Sequence, residues 1–143
     1  MAPLLIACVI GIPWAGALIV LLIDHQREAL RHQVAAGFAV VAGIASLLLL
    51  TQTSAEAAIT IEMGAVFGEL TFVPDGLGVF LTVTAAVIGS LTVIFSMDYM
   101  RGETDLGRYY AFVLFFIGGM CGLALTGSLL FLFFFWEITA LCS

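Results

Sequence analysis

Long apolar stretches alternate with short polar ones along the chain, and the apolar ones have the length of a bilayer crossing. They fall at about 3–23, 34–51, 76–97, 109–126 and 128–143. A helix rises about 1.5 Å per residue, so roughly 20 residues cover a hydrocarbon core of about 30 Å. The five runs therefore predict five membrane helices. Between the second and third the period changes. Ile59-Thr60-Ile61-Glu62-Met63 and Glu69-Leu70-Thr71-Phe72-Val73 alternate apolar and polar residues on either side of Gly64 to Gly68. Alternation of period two around a glycine-bearing loop reads as a β-hairpin, here about 59–73, lying on the membrane surface with its apolar side down. The expected fold class is an all-α membrane protein with about five transmembrane helices and a short outer-face β-hairpin between helices 2 and 3. It forms a single membrane domain over 1–143.

Local signals refine these elements. Gly11 and Pro13 are expected to bend the first helix. The polar segment from Thr51 to Ala58 reads as a linker. Asp75, after Pro74, is placed to cap the third helix by accepting from its first free amides; a second reading makes it a point where ions come in. Thr82, Thr84, Ser90, Thr92 and Ser96 imply either helix–helix packing or a wet face on that helix. Gly118 to Gly122 contains a GxxxG, which lets another helix approach closely. Tyr99, Tyr109 and Tyr110 sit at the level of an interfacial aromatic belt. His25 and His32 lie seven apart in a polar connection. Two histidines without a third ligand make a poor metal site, so a solvated loop or contact with lipid headgroups is expected.

Composition and charge set the environment and the orientation. The chain is 63% hydrophobic with a mean hydropathy of +1.22, well above the roughly 45–50% apolar content of soluble domains. The formal charge of −6 is segregated into the connections. All four basic residues are arginines, at 27, 31, 101 and 108, and there is no lysine. With no basic face, nucleic acid is excluded as a partner. Arg27 and Arg31 place the first connection on the cytoplasmic side, as Arg101 and Arg108 do the third. Glu56, Glu62, Glu69 and Asp75, with no basic neighbour, place the second outside. The N-terminus is then outside as well. No basic residue precedes the first apolar run, so that run is expected to stay as a span rather than be cleaved as a signal. Cys8, Cys121 and Cys142 are far apart in apolar segments and read as packing residues.

One residue breaks the pattern. Glu137 stands in the otherwise apolar Phe131-Leu132-Phe133-Phe134-Phe135-Trp136-Glu137-Ile138-Thr139-Ala140-Leu141-Cys142-Ser143. A helix entering the bilayer near Gly127 carries it about 14 Å deep. Charged groups at that depth cost at least ~2.5–3.5 kcal/mol on insertion scales, so Glu137 is expected to face protein or water. It is read as a proton or cation relay, with a neutral acid bonded to a neighbouring helix as the alternative. From Ser128 to Ser143 is only about 24 Å of helix. Either the sequence is a fragment or a partner chain is expected to continue the architecture there.

Asp75-Gly76-Leu77-Gly78, Gly89-Ser90-Leu91, Tyr109 to Gly122 with its Gly118-Gly119-Met120, and above all Phe135-Trp136-Glu137-Ile138-Thr139-Ala140-Leu141-Cys142-Ser143 resemble the N-terminal part of the Mrp-type Na+/H+ antiporter A subunit. That family is similar to the largest antiporter-like subunit of respiratory complex I. The resemblance runs from about Pro74 onward, while residues 1–60 match in hydropathy alone. It implies that Glu137 is the glutamate of the fifth helix, which in the family pairs with a lysine two helices later and takes part in lateral proton transfer. It further implies a bacterial or archaeal inner membrane, Na+ and H+ as transported ions, and other membrane subunits as partners. This chain has no lysine, so one of those partners is expected to supply the lysine and the missing helices.

The function expected is that of a subunit of a multisubunit monovalent cation/proton antiporter, a secondary transporter and not an enzyme. No catalytic residues, metal ligands or cofactor are expected. An alternative is the antiporter-like subunit of a complex I-like or membrane-hydrogenase redox pump. There the redox chemistry would belong to partners, because the chain carries neither an iron–sulfur cysteine pattern nor a nucleotide loop. A structural subunit without transport role is the third reading.

Overall fold

In hydrocarbon the backbone polar groups must be satisfied within the segment that carries them, so each apolar run folds as a helix. The computed structural model describes residues 1–24, 26–52, 58–64, 68–102 and 104–143. The helices are α1 (Ala2–Leu22), α2 (Glu28–Leu49, followed by a 3-10 turn at Leu50–Gln52), α3 (Gly76–Tyr99), α4 (Leu106–Leu125) and α5 (Leu129–Cys142). Four of them, α1 to α4, are long and apolar enough to cross a membrane, whereas α5 has 14 residues, about 21 Å. α1 continues unbroken through Pro13. α2 starts at Glu28, ahead of the apolar run that begins near Val34, because Arg31 and His32 near its start are buried by contacts that hydropathy does not reveal. His25 and Glu56 lie outside the described residues.

Helix α4 is the centre of the bundle, packing against α1, α2, α3 and α5. Small residues let its neighbours in. Gly118 lies beneath the indole of Trp14 on α1, whose Nε1 donates to the Phe115 carbonyl at 3.2 Å. Gly119 faces Thr139 and Ile138 of α5, and Gly122 meets the ring of Phe135. The GxxxG surface thus receives two helices, α1 on one side and α5 on the other. Outward side chains such as Leu18, Ile44, Leu91, Phe95 and Phe133 are apolar and exposed, as expected of a bundle whose solvent is lipid.

The alternating segments pair as β1 (Ile59–Glu62) and β2 (Glu69–Phe72), antiparallel with Ile59 opposite Phe72 and Glu62 opposite Glu69. The hairpin is more than a surface flap. The Gly127 amide donates to the Thr71 carbonyl at 2.7 Å and Val73 to Leu125 at 2.8 Å, with Phe72 bridging to Thr126. The turn between α4 and α5 therefore extends the hairpin along β2. Phe72 is buried, its ring centroid 6.2 Å from that of Phe135.

Candidate functional site: a mid-helix carboxylate and a polar cluster at the arginine-bearing end

Glu137 lies eight residues into α5, about 12 Å along its axis. The face that α5 turns to α4 carries Phe131, Phe135 and Thr139, all buried. At 100° per residue Glu137 points to the opposite side, on a strip with Phe133 and Leu141, and it is exposed. Among the described residues it has no hydrogen-bond or ion-pair partner. The neighbouring helix that the packing alternative requires is thus not supplied by α1 to α4. What Glu137 offers is a carboxylate in apolar surroundings, aimed away from its own bundle.

Asp75 precedes α3, and its Oδ1 accepts from the Gly78 amide at 2.7 Å, a side-chain cap on one of the four free amides of the helix start. Replacement by alanine is expected to cost about 1 kcal/mol, within the usual ~0.5–2 for a lost cap. Asparagine, which keeps the acceptor, is expected to leave the melting midpoint unchanged. If Asp75→Asn nonetheless reduces ion flux in vesicles, the carboxylate's charge matters beyond capping.

The hydroxyls of α3 divide by face. Ser90 is buried and donates to Ala86 or Ala39, both at 2.6 Å, tying α3 to α2. Thr84 and Thr92 face outward and donate to carbonyls one turn back, at 2.9 Å each. Packing and exposure are both present, on opposite sides of one helix.

At the arginine-bearing end the structure assembles a group that hydropathy reads as a solvated connection. His32 is not in a loop. It sits in the second turn of α2, 7% exposed, with Nδ1 2.5 Å from the hydroxyl of Tyr110 and Nε2 3.4 Å from Glu28 Oε1. Tyr110 is fully buried rather than part of an interfacial belt, while Tyr99 is exposed. Glu28 Oε1 also accepts from the Gly102 amide at 3.0 Å. Beside them Tyr109 and Ser96 share a hydroxyl contact of 2.7 Å. Arg31, 3% exposed, donates through Nε and Nη2 to the Ile23 carbonyl at the end of α1, where a cation suits the helix dipole. The one sequence signal for this cluster was Glu28 four residues before His32 on one helix face. The partner Tyr110 is 78 residues away. Among the described residues no group of three or more His, Cys, Asp or Glu is placed to hold a metal ion.

Membrane-length apolar helices around α4, with a small hairpin docked at one end, define a multi-pass helical membrane protein. Residues 61–110, the hairpin through the first turn of α4, match the family described as NADH-ubiquinone oxidoreductase (complex I), chain 5 N-terminus. The chain is also 38% identical over 69 residues to the Na(+)/H(+) antiporter subunit A1 of Staphylococcus aureus strains bovine RF122 / ET3-1 and JH9. That alignment covers 48% of this chain and 9% of each relative. These similarities support the resemblance to the N-terminal part of an Mrp-type A subunit. The family match stops ahead of Glu137.

Proposed function

We infer that the chain is the N-terminal part of the A subunit of a multisubunit monovalent cation/proton antiporter in the cell membrane, and that Glu137 takes part in moving protons or cations. The observation that carries this is the direction of Glu137. A carboxylate at mid-helix, turned away from its own bundle, needs protein or water on that face, and a cation on a partner helix would supply a counter-charge. A carboxylate and a mobile cation held on facing helices couple the movements of two ions electrostatically. In this reading the arginine-bearing end is cytoplasmic, and the N-terminus and hairpin are outside. Partner membrane subunits or further helices contribute the cation.

A second reading is favoured by the match to the complex I chain 5 family: the same carboxylate would serve a redox-driven pump. The assembled complex, reconstituted in vesicles, separates the two. Cation-driven pH change in the absence of any electron donor supports the antiporter. Co-purifying iron–sulfur proteins, with pH change only on addition of a reductant, support the pump. Exchange that is undiminished in Glu137→Gln sinks the role given to Glu137.

A further inference from the structure

We propose that Glu28, His32 and Tyr110 form a proton-binding site at the arginine-bearing end of the bundle, separate from Glu137, whose occupancy reverses the hydrogen bond joining α2 to α4. It rests on no reading of Glu137.

The geometry dictates the neutral state. Nε2 of His32 faces a carboxylate oxygen, 3.4 Å away, that can only accept, so the ring hydrogen belongs on Nε2. Nδ1 then has a free lone pair, and the Tyr110 hydroxyl at 2.5 Å donates to it. Tyr110 is fully buried and stacks edge-on to the imidazole at 5.3 Å, so neither ring can swing away without opening the interface. Glu28 is the wet end of the row, with its side chain 40% exposed. It lines an open pocket with Arg27, Gln33, His32 and Arg101, which gives water a route to the imidazole edge.

Protonation changes the bonding without breaking a covalent bond other than that of the proton donor. On acidification a hydronium ion entering by this pocket delivers one proton to the Nδ1 lone pair as the contact with Tyr110 opens transiently, and leaves as neutral water. The imidazolium then donates through both nitrogens, to Glu28 and to the Tyr110 oxygen, and the Tyr110 hydrogen must turn to another direction. Two effects oppose each other. The carboxylate of Glu28 favours the charged ring, whereas the buried hydroxyl hydrogen loses its acceptor and disfavours it. Charged and titratable groups around the ring come from α2 and its start (Arg27, Glu28, Arg31), from the end of α3 (Arg101), and from α4 (Tyr109, Tyr110). Glu28 also holds the Gly102 amide, so the proton is felt by the α3–α4 turn as well as by α2.

The test is solid-state NMR of ring-15N-histidine protein in native-lipid nanodiscs. The His32 signal is identified by its loss in His32→Gln and its persistence in His25→Gln. Near pH 8 the expected signal is the single tautomer with hydrogen on Nε2; on acidification it converts to the doubly protonated ring. Glu28→Gln, which keeps an acceptor and removes only the charge, is expected to move that conversion to lower pH, because the carboxylate that favours the doubly protonated ring is gone. The Nδ1–H tautomer at pH 8, an unchanging signal from pH 5 to 9, or an unmoved conversion in Glu28→Gln would each overturn the proposal. The first two are read on the unmutated chain.

Discussion

Cation-dependent pH change in vesicles containing Glu137→Gln is expected to fall by about 10²-fold or more, the size of loss common when a proton-transfer group is removed. Glutamine is nearly the same shape and cannot carry a proton. Glu137 touches none of the packing contacts of α5, which run through Phe131, Phe135 and Thr139. Assembly and thermal stability should therefore match those of the unmodified protein, and removal of a potential charge from an apolar face leaves insertion no worse. Glu137→Asp, with the carboxylate drawn back by one methylene, is expected to retain part of the flux. A normal flux in Glu137→Gln would make the carboxylate a passive occupant of its face. A collapsed flux together with lost assembly in both variants would make it an interface contact.

The largest expected loss of stability is at Gly78. A Cβ there would lie 2.6 Å from the backbone carbonyl oxygen of Ala124 and 2.6 Å from Asp75 Oδ1. The first is backbone of α4 and cannot swing aside; the second is the acceptor that caps α3. Gly78→Ala must therefore push the start of α3 away from the end of α4 or give up the cap. Overpacking costs about 1–3 kcal/mol and the lost cap about 1 more, so a combined loss of about 2–4 kcal/mol is expected, read as a lower unfolding midpoint in detergent. Gly76→Ala is the control. Nothing lies within 4 Å of that Cβ position, and the variant should unfold with the unmodified protein. If Gly78→Ala is as stable as Gly76→Ala, the close approach of α3 to α4 does not hold in the membrane.

The apolar runs declared the helices because each is long enough to satisfy its own backbone across lipid. The anomaly at Glu137 stood out for a related reason, one acid in the thirteen residues of otherwise uncharged sequence from Phe131 to Ser143. Its direction did not stand out. That depends on how α5 is rotated against α4, which is decided by Phe135 filling the space over Gly122, a match between residues in different helices. Hydropathy also misread the start of α2. Glu28, Arg31 and His32 look like loop residues by composition, yet Arg31 closes the end of α1 and His32 meets Tyr110. Polar residues buried by pairing are invisible to any scale that scores them one at a time. The hairpin was legible from its alternation, while its attachment was not, since the bonds to Leu125 and Gly127 involve backbone alone and leave no mark in side-chain pattern.

That attachment bears on the order in which the protein is made. Strand β2 gains its second backbone partner only when Leu125 to Gly127 arrive, more than fifty residues later: Thr126 and Thr71, whose side chain and carbonyl meet at 3.4 Å, are 55 apart. As the chain emerges from the ribosome the hairpin must wait through the insertion of α3 and α4 with one edge unsatisfied, and late-forming contacts of long sequence separation are slow to close. The clasp between Thr71 and Gly127 can therefore close only once α3 and α4 have both crossed. Failure of either helix to cross would leave the two halves of the clasp on opposite sides of the membrane, with the strand edge open.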